Sequence, residues 1–211
     1  MKRLKFLGLL AAAIAAFMAF AAGASATALT SPTGTTYTST LTASSSNIAY
    51  DGAFTTISCS GSHFEGKVET HGAGVTAIGK LSTLSFSGCN FPMTVLKAGS
   101  LEIHPVKTVE FEPGKFRLEA CTSGECTGTV TSTGTELTMA TSVGSCIYTT
   151  IGTDTGLLTP TNDTGGTARI DIGLHGGGVI PRTGGNFLCG SSSVLTGNYT
   201  FSIPDSLWID S

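Results

Sequence analysis

The stretch Cys59-Ser-Gly-Ser-His-Phe-Glu-Gly-Lys-Val-Glu-Thr-His-Gly72 carries the pattern that indicates the fold of the whole chain. In an extended strand, alternate side chains point to opposite faces, so Phe64 and Val68 share one face and the charged residues share the other. A similar unit follows Cys121, and a looser copy follows Cys189. Each unit is a cysteine, a polar turn and an alternating strand, which predicts a protein built from β-strands.

The rest of the chain favours the same class. Ser and Thr together make up 57 of the 211 residues, and 40% of the residues are hydrophobic. Threonine fits a pleated, half-solvated sheet face and gains little in a helix. No segment after the first 26 residues repeats apolar side chains with a helical period over three turns. Strands are expected at residues 54–59, 84–86, 101–104, 107–111, 116–120, 128–131, 136–139, 146–149, 168–172 and 198–203.

These strands predict an all-β fold, an antiparallel β-sandwich of many short strands stapled by disulfides. A closed or partly open β-barrel is the alternative. Pro105 cannot donate to a ladder, so its strand is expected to be split or to lie at an edge. The glycine-rich tract from Gly165 to Gly185 is expected to hold loops or bulged edges around residues 168–172.

The first 26 residues have the three parts of a secretory signal peptide. A basic start (1–5) precedes an apolar run (6–20) and the small residues Ala24-Ser25-Ala26. We expect cleavage near Ala26, with Ala28 as an alternative site and an uncleaved anchor as the other interpretation. Residues 27–35 are then a loose Ser/Thr-rich tail, and residues 36–211 form a single all-β domain.

Charge excludes some partners. The formal net charge is −3, and without the three basic residues of the signal the remaining chain carries 8 basic and 14 acidic residues. A surface of net charge −6 attracts neither phosphate backbones nor anionic lipid heads. We therefore expect a secreted protein with no nucleic-acid partner and no membrane span after cleavage.

An even number of cysteines in an exported chain predicts a disulfide framework rather than a zinc site. Cys59–Cys89 is the first pairing we expect. For the others, Cys121–Cys126 with Cys146–Cys189 is preferred, and Cys121–Cys146 with Cys126–Cys189 remains the alternative. All six cysteines lie after the signal: Cys59, Cys89, Cys121, Cys126, Cys146 and Cys189.

Several of these motifs occur together. They are the signal peptide, the Cys-Ser-x-Ser-x-Phe-x-Gly-x-Val unit at 59–68, Leu-Ser-Phe-Ser-Gly-Cys at 84–89 and Leu-Cys-Gly-Ser-Ser-Ser-Val-Leu-Thr-Gly-Asn-Tyr-Thr-Phe at 188–201. In this combination the chain resembles a group of uncharacterised, secreted, β-rich proteins of high-GC Gram-positive bacteria. The resemblance implies export and disulfides, and it implies no activity and no functional residues.

One speculative binding surface lies on the first cysteine unit. His63, Glu65, Glu69 and His71 share one face of the expected strand, where they could bind a metal or act as an acid–base pair. A plain solvent-facing strand surface is the preferred interpretation.

A second speculative surface lies in the glycine-rich half. Asp154 and Asp163 each begin an Asp-Thr-Gly sequence, which we interpret as turns, and with Asp171 they could supply oxygens for Ca²⁺. His175 precedes three glycines, as in the oxyanion loop of some esterases, but no Gly-x-Ser-x-Gly nucleophile motif accompanies it.

No catalytic residues, cofactor or metal site can be assigned from these patterns. We expect a non-catalytic structural or interaction protein of the cell exterior, with an unknown extracellular or envelope partner. An extracellular glycan- or small-ligand-binding module is the alternative, and an extracellular hydrolase is the third hypothesis. Labelling by a serine-hydrolase probe, lost when one Ser is changed, would favour the third.

Overall fold

The computed structural model describes residues 26–30, 36–53, 55–73, 75–112, 115–120, 126–142, 144–160, 167–173, 178–202 and 207–210. These residues form almost nothing but antiparallel strands and one short 3₁₀ helix, Phe187–Cys189. No helix in these ranges is long and apolar enough to cross a membrane. The strands are β1 (Ala26–Thr30), β2 (Thr40–Ser45), β3 (Ile48–Asp51), β4 (Thr56–Ala73), β5 (Val75–Cys89), β6 (Met93–Lys97), β7 (Ser100–Glu112), β8 (Lys115–Ala120), β9 (Thr127–Thr141), β10 (Gly144–Thr159), β11 (Arg169–Ile172), β12 (Val179–Gly185), β13 (Ser192–Phe201) and β14 (Trp208–Asp210).

The strands pair one after another in a closed circuit. Pairing runs from β4 through β5, β7, β9, β10, β12, β13 and β3 back to β4. At the other end of the sheet, β11 and β2 take the places of β12 and β3. The prediction of an all-β, antiparallel, disulfide-stapled fold is confirmed. The circuit of strand pairs corresponds to the alternative that we gave, a partly open barrel, rather than to two separate sheets of a sandwich.

The core fills the inside of this circuit. Along β9 the even-numbered Val130 and Ser132 point inward and are buried, while their odd-numbered neighbours are more exposed. Phe64 of β4 packs edge-on against Phe201 of β13, with ring centroids 5.9 Å apart. Each fully buried aliphatic or aromatic side chain contributes about 1.5–3 kcal/mol. The alternation therefore supplies the main driving force of the fold.

Several strands are longer than the short strands we expected, and glycines lie inside them. Gly66 lies within the 18-residue β4, and Gly128 lies within the 15-residue β9. At Gly128 an added Cβ would lie 2.7 Å from the Ile103 side chain. Glycine here permits close packing inside the barrel rather than ending a strand.

Pro105 does not split its strand. It lies within β7, where it pairs with Gly128 on one side. On the other side, the ladder with β5 ends at Ile103 and the ladder with β8 begins at Val106. The proline therefore occupies the short unpaired interval of that edge, where a missing N–H costs no ladder hydrogen bond.

The chain start differs from the expected loose tail. Residues 26–30 form β1, which pairs with β14 and β4, and Leu29 is buried. Residues 1–25 and 31–35 lie outside the described residues, so the signal peptide stays a prediction.

Two expected disulfides are confirmed. Cys59–Cys89 joins cross-strand neighbours of β4 and β5, with Cα atoms 3.9 Å apart. Cys146–Cys189 joins β10 to the 3₁₀ helix, with Cα atoms 5.7 Å apart. Cys126 is also disulfide-bonded, and Cys121 lies outside the described residues.

Candidate functional site

The barrel wall has an opening between β5 and β6, which we call the window. β5 pairs with β4 along its whole length, but with β7 only at residues 77–80. β6 pairs with β9 alone. In the part of the chain that the structure describes, no ladder joins Ser82–Cys89 of β5 to β6 or to any strand other than β4.

A bend between β6 and β7 produces this separation. Gly99 has a φ of 75°, the left-handed region that favours glycine, and its added Cβ would lie 2.6 Å from the Thr133 carbonyl oxygen. The Thr135 hydroxyl donates to the Ala98 carbonyl oxygen at 2.7 Å. The Leu81 N–H donates to the Gly99 carbonyl oxygen at 3.0 Å, and beyond this bond no ladder joins β5 to β6.

The other end of the window is closed by the chain itself. The Asn90 N–H donates to Ser58 O, which extends the pairing of β5 with β4 by one residue. The Asn90 amide also accepts from the Ser58 N–H and donates to Thr56 O. Pro92 O then accepts from the Ala140 N–H beside β9. Three residues therefore cross from one wall of the window to the other.

Inward side chains at the window are incompletely covered. Leu84 and Phe86 pack against the core from β5, and Met93 and Val95 do so from β6, yet all four are only partly buried. In a closed barrel, inward side chains at mid-wall would be buried. Their partial exposure therefore places apolar side chains from both walls at the window.

Behind the window lies a cavity of about 60 Å³. Leu84 and Phe86 of β5 line it together with Leu101, Val130, Ile170 and Leu195 from other strands. A second cavity of about 40 Å³ shares Phe64, Leu81, Leu101 and Ile170 with the first. The interior behind the window is therefore apolar and incompletely filled.

The polar groups of the cavity wall bond to one another. Ser132, Thr135 and Thr150 are buried hydroxyl residues, and the Ser132 hydroxyl lies 3.0 Å from each of the other two. The Thr150 hydroxyl accepts from the Thr135 N–H at 2.9 Å. Because these groups satisfy one another, they do not require a polar ligand.

Two tyrosines also line the cavity and stay uncharged. Burial raises the pKa of Tyr199 to about 12, although its 2.6 Å hydrogen bond with the Ser62 hydroxyl lowers the pKa in part. Burial raises the pKa of Tyr50 well above its ordinary value, and Tyr199 adds to that rise. The cavity therefore favours uncharged, apolar groups.

The first speculative surface lies on the outer face of the barrel. His63 Nδ1 is 3.0 Å from the Ser44 hydroxyl, and His63 Nε2 is 3.4 Å from Glu65 Oε1. Glu69 is exposed on the same strand. His71 lies in β4, but its side chain is outside the described part of the structure.

The second speculative surface is not assembled in the described residues. Asp171 pairs with Arg169 at 2.8 Å. Asp154 lies within β10, where the register shifts towards Gly156, so this Asp-Thr-Gly forms a bulge and not the expected turn. Asp163 and His175 lie outside the described residues.

The described members of the two surfaces do not converge. Three successive cross-strand pairs separate His63 from Arg169, which places them about 14 Å apart at 4.8 Å per strand. Within the described ranges, no group of three or more His, Cys, Asp or Glu residues could hold a metal ion.

Sequence reasoning missed the window. Leu84 and Phe86 were expected in a strand, but β6 was not expected, and nothing local marks the strand edge as unpaired. The one available signal was the Ala98-Gly99 break between two alternating apolar segments.

Comparisons of the chain with protein-family models, with curated proteins and with solved structures find no match.

Proposed function

We propose that this chain is a secreted or cell-surface, non-catalytic interaction protein that receives an apolar group of its partner through the window. The observation that carries the proposal is the partial exposure of the inward side chains Leu84 and Phe86 at the mouth of an apolar cavity. Exposed apolar surface beside a cavity is typical of binding sites.

The cavity volume favours a group of a larger partner over a whole small ligand. Pockets for drug-sized ligands measure roughly 300–1,000 Å³, whereas this cavity measures about 60 Å³. An engineered cavity that binds benzene measures about 150 Å³. The space suits one aliphatic side chain, supplied by a molecule that makes its other contacts outside the barrel.

Xenon binding tests whether apolar atoms or groups can enter the cavity. Under xenon pressure, the methyl resonances of Leu84, Leu101 and Leu195 should shift and saturate, because xenon enters dry apolar cavities. Leu84→Arg should reduce the shifts of the Leu101 and Leu195 methyl groups several-fold, and Thr83→Arg on the exposed face of the same strand should leave them unchanged. Equal responses of both variants, or unshifted methyl groups, would contradict the proposal.

Export is tested separately. The N-terminus of the protein recovered from the culture medium should lie near Thr27. Recovery only from inside the cell, with Met1 retained, would remove the secreted part of the proposal and leave the window in place.

A second candidate function, an extracellular hydrolase, is favoured by the hydrogen-bonded series Ser44, His63 and Glu65. Catalytic serines are activated by a histidine that an acidic residue orients. The His63 and Glu65 side chains are 40% and 42% exposed, however, and they lack the water exclusion that strengthens such sites.

A fluorophosphonate probe tests this candidate. Labelling of the protein that is lost in both Ser44→Ala and His63→Ala would support a hydrolase. Absence of labelling, or labelling that persists in Ser44→Ala, would rule out this series as a nucleophilic site.

A further inference from the structure

Two exposed lysines lie side by side on the outer surface of the barrel. Lys67 of β4 and Lys80 of β5 are direct cross-strand partners, and both are exposed. Cross-strand partners point to the same face of a sheet, with Cβ atoms about 4.5–5.5 Å apart. Like charges in such a pair repel each other, so the pair destabilises the protein unless an anion neutralises it.

The other basic side chains that the structure describes have oxygen partners. Lys97 bonds to Glu136, Arg169 bonds to Asp171, and Arg182 donates to the Asn186 carbonyl oxygen. In contrast, neither Lys67 nor Lys80 forms a hydrogen bond or an ion pair with any described residue. The two cations without a partner are therefore also the two that face each other.

Two carboxylates on β4 lie near the pair without neutralising it. Glu65 and Glu69 are two residues before and two residues after Lys67. Glu65 Oε1 lies 3.4 Å from His63 Nε2, and Glu69 is exposed at a shift in the register of β4 with β5. Neither forms an ion pair with a lysine of the pair. The two ammonium groups are therefore open to an anion from solution.

Hydroxyl groups flank the two lysines. Thr40 of β2 is the cross-strand partner of Lys67, and Ser100 of β7 is the partner of Lys80. These four side chains, which we call the lysine row, follow one another across adjacent strands about 4.8 Å apart. The Thr40 hydroxyl bonds to no described residue, and the Ser100 hydroxyl makes only a long contact of 3.5 Å with Thr133 O. The row thus presents two cations between two hydroxyl donors.

We infer that the lysine row binds the phosphate group of a small molecule, either inorganic phosphate or a phosphate monoester. A phosphate monoester carries a charge of about −1.5 to −2 at pH 7 and three strong acceptor oxygens, so it can accept from both ammonium groups and from a flanking hydroxyl. A carboxylate has one charge and two oxygens, and it matches the row less well. The site uses no residue of the window, so the inference goes beyond the proposed function.

The charge of the rest of the chain limits the size of the ligand. Without the predicted signal the chain has 8 basic and 14 acidic residues, and this excess of negative charge repels long polyanions and anionic membranes. At physiological ionic strength, exposed charges more than about 8 Å apart are largely screened. The two lysines therefore dominate for an anion held between them, whereas a polymer or a membrane also meets the surrounding acidic surface.

An NMR titration of the mature, disulfide-intact protein tests the inference. With added phosphate at constant ionic strength, the amide resonances of Lys67, Lys80 and Ser100 should shift and saturate, and chloride should not reproduce the shifts. Lys67→Gln and Lys80→Gln should each weaken binding on the order of fivefold, the effect of an exposed ion pair. Lys97→Gln is the matched control and should leave binding unchanged, since Lys97 already pairs with a carboxylate. Glu69→Gln should strengthen binding.

Urea unfolding separates binding from a structural role of the lysines. Phosphate should raise the midpoint of the wild-type protein, because a ligand that binds only the folded state stabilises it. In phosphate-free buffer, Lys80→Gln should be at least as stable as the wild type, because the like-charge repulsion is gone. The same variant should lose most of the response to phosphate. A variant that is destabilised without phosphate, and that keeps the full phosphate response, would overturn the inference.

The source of the phosphate group is tested by comparing ligands. Glycerol 3-phosphate should bind about as tightly as inorganic phosphate, whereas polyphosphate and phosphatidylglycerol vesicles should bind no more tightly per phosphate group. Tighter binding of either would overturn the assignment to a small molecule. Equal phosphate binding by Lys67→Gln, Lys80→Gln and Lys97→Gln would overturn the site itself. None of these results bears on the xenon experiment, so the site and the window can fail separately.

Discussion

Tyr199 should make the fold sensitive to alkali by a calculable amount. Its pKa is raised to about 12 in the folded protein, mainly by burial, and the ordinary value for an unfolded chain is about 10. Below pH 10 the phenol is neutral in both states, so its contribution to stability is fully present. Between about pH 10 and pH 12 the unfolded chain releases a proton that the folded protein retains, and the free energy of unfolding falls as pH rises. At about 1.36 kcal/mol per pKa unit, the total loss is roughly 2.7 kcal/mol, of which about 1.4 kcal/mol is lost by pH 11.

Urea denaturation at several pH values up to about pH 11 measures this effect. Tyr199→Phe should flatten the fall in unfolding free energy between about pH 10 and pH 11 by roughly 1 kcal/mol per pH unit. At neutral pH the same change should cost only about 0.5–1.5 kcal/mol, the net value of one hydrogen bond. Tyr37→Phe, on a partly buried tyrosine, controls for loss of a phenol elsewhere. Ser62→Ala should cost about 1–3 kcal/mol at neutral pH, because it leaves the buried Tyr199 hydroxyl without its partner.

An unchanged alkaline slope in Tyr199→Phe would refute this reasoning, since it would mean that the phenol is not desolvated in the folded protein. Tyr50 lies in the same core, and burial raises its pKa in the same direction. A slope that Tyr50→Phe removes while Tyr199→Phe leaves it unchanged would locate the desolvation at Tyr50 rather than Tyr199.

Three further changes test the architecture in urea unfolding. Replacing both Cys146 and Cys189 by Ala should lower the free energy of unfolding by about 4 kcal/mol, the value of the chain-entropy model for a separation of 43 residues. An unchanged urea midpoint would contradict the presence of the disulfide. Gly99→Ala should destabilise the protein more than Gly134→Ala. Both glycines have left-handed φ values (75° and 74°), so each alanine bears about 1–2 kcal/mol of backbone strain, but only at Gly99 would the added Cβ press against neighbouring atoms. Equal losses of stability in the two variants would contradict the bend. Leu137→Ala should cost about 2–5 kcal/mol and enlarge the cavity, and a loss below 1 kcal/mol would show that the core is not packed as described.

Local patterns were sufficient to predict many of the strands and two disulfides. The alternation after Cys59 and the strand Leu84-Ser85-Phe86 are properties of neighbouring residues, so each can be read without knowing the partner strand. The Cys59–Cys89 bridge followed from the same two strands, because cysteines at the start of one and the end of the next become cross-strand neighbours in a hairpin.

Strand lengths were harder to predict because glycine has two roles. Gly66 and Gly128 would be strand breakers in an isolated segment, yet both lie inside long strands of the barrel. At Gly128 the reason is the approach of the Ile103 side chain from a strand more than 20 residues earlier in the chain. Propensity describes a residue and its neighbours, whereas this requirement comes from tertiary packing.

The window depends on a still longer connection. Leu81 to Lys97 resembles an ordinary hairpin, and continuing the β5–β7 register would place Ser85 opposite Val95. That register ends because the Thr135 hydroxyl, from a strand far along the chain, bonds to Ala98 O at the point where Gly99 turns the backbone. Thr135 is itself held by Thr150 of the next strand, so the opening depends on three strands acting together. The candidate site thus arises where hydrogen bonds of an interior hydroxyl network replace the hydrogen bonds of a strand ladder. A sequence pattern predicts strands from neighbouring residues, so it does not reveal this competition between distant groups.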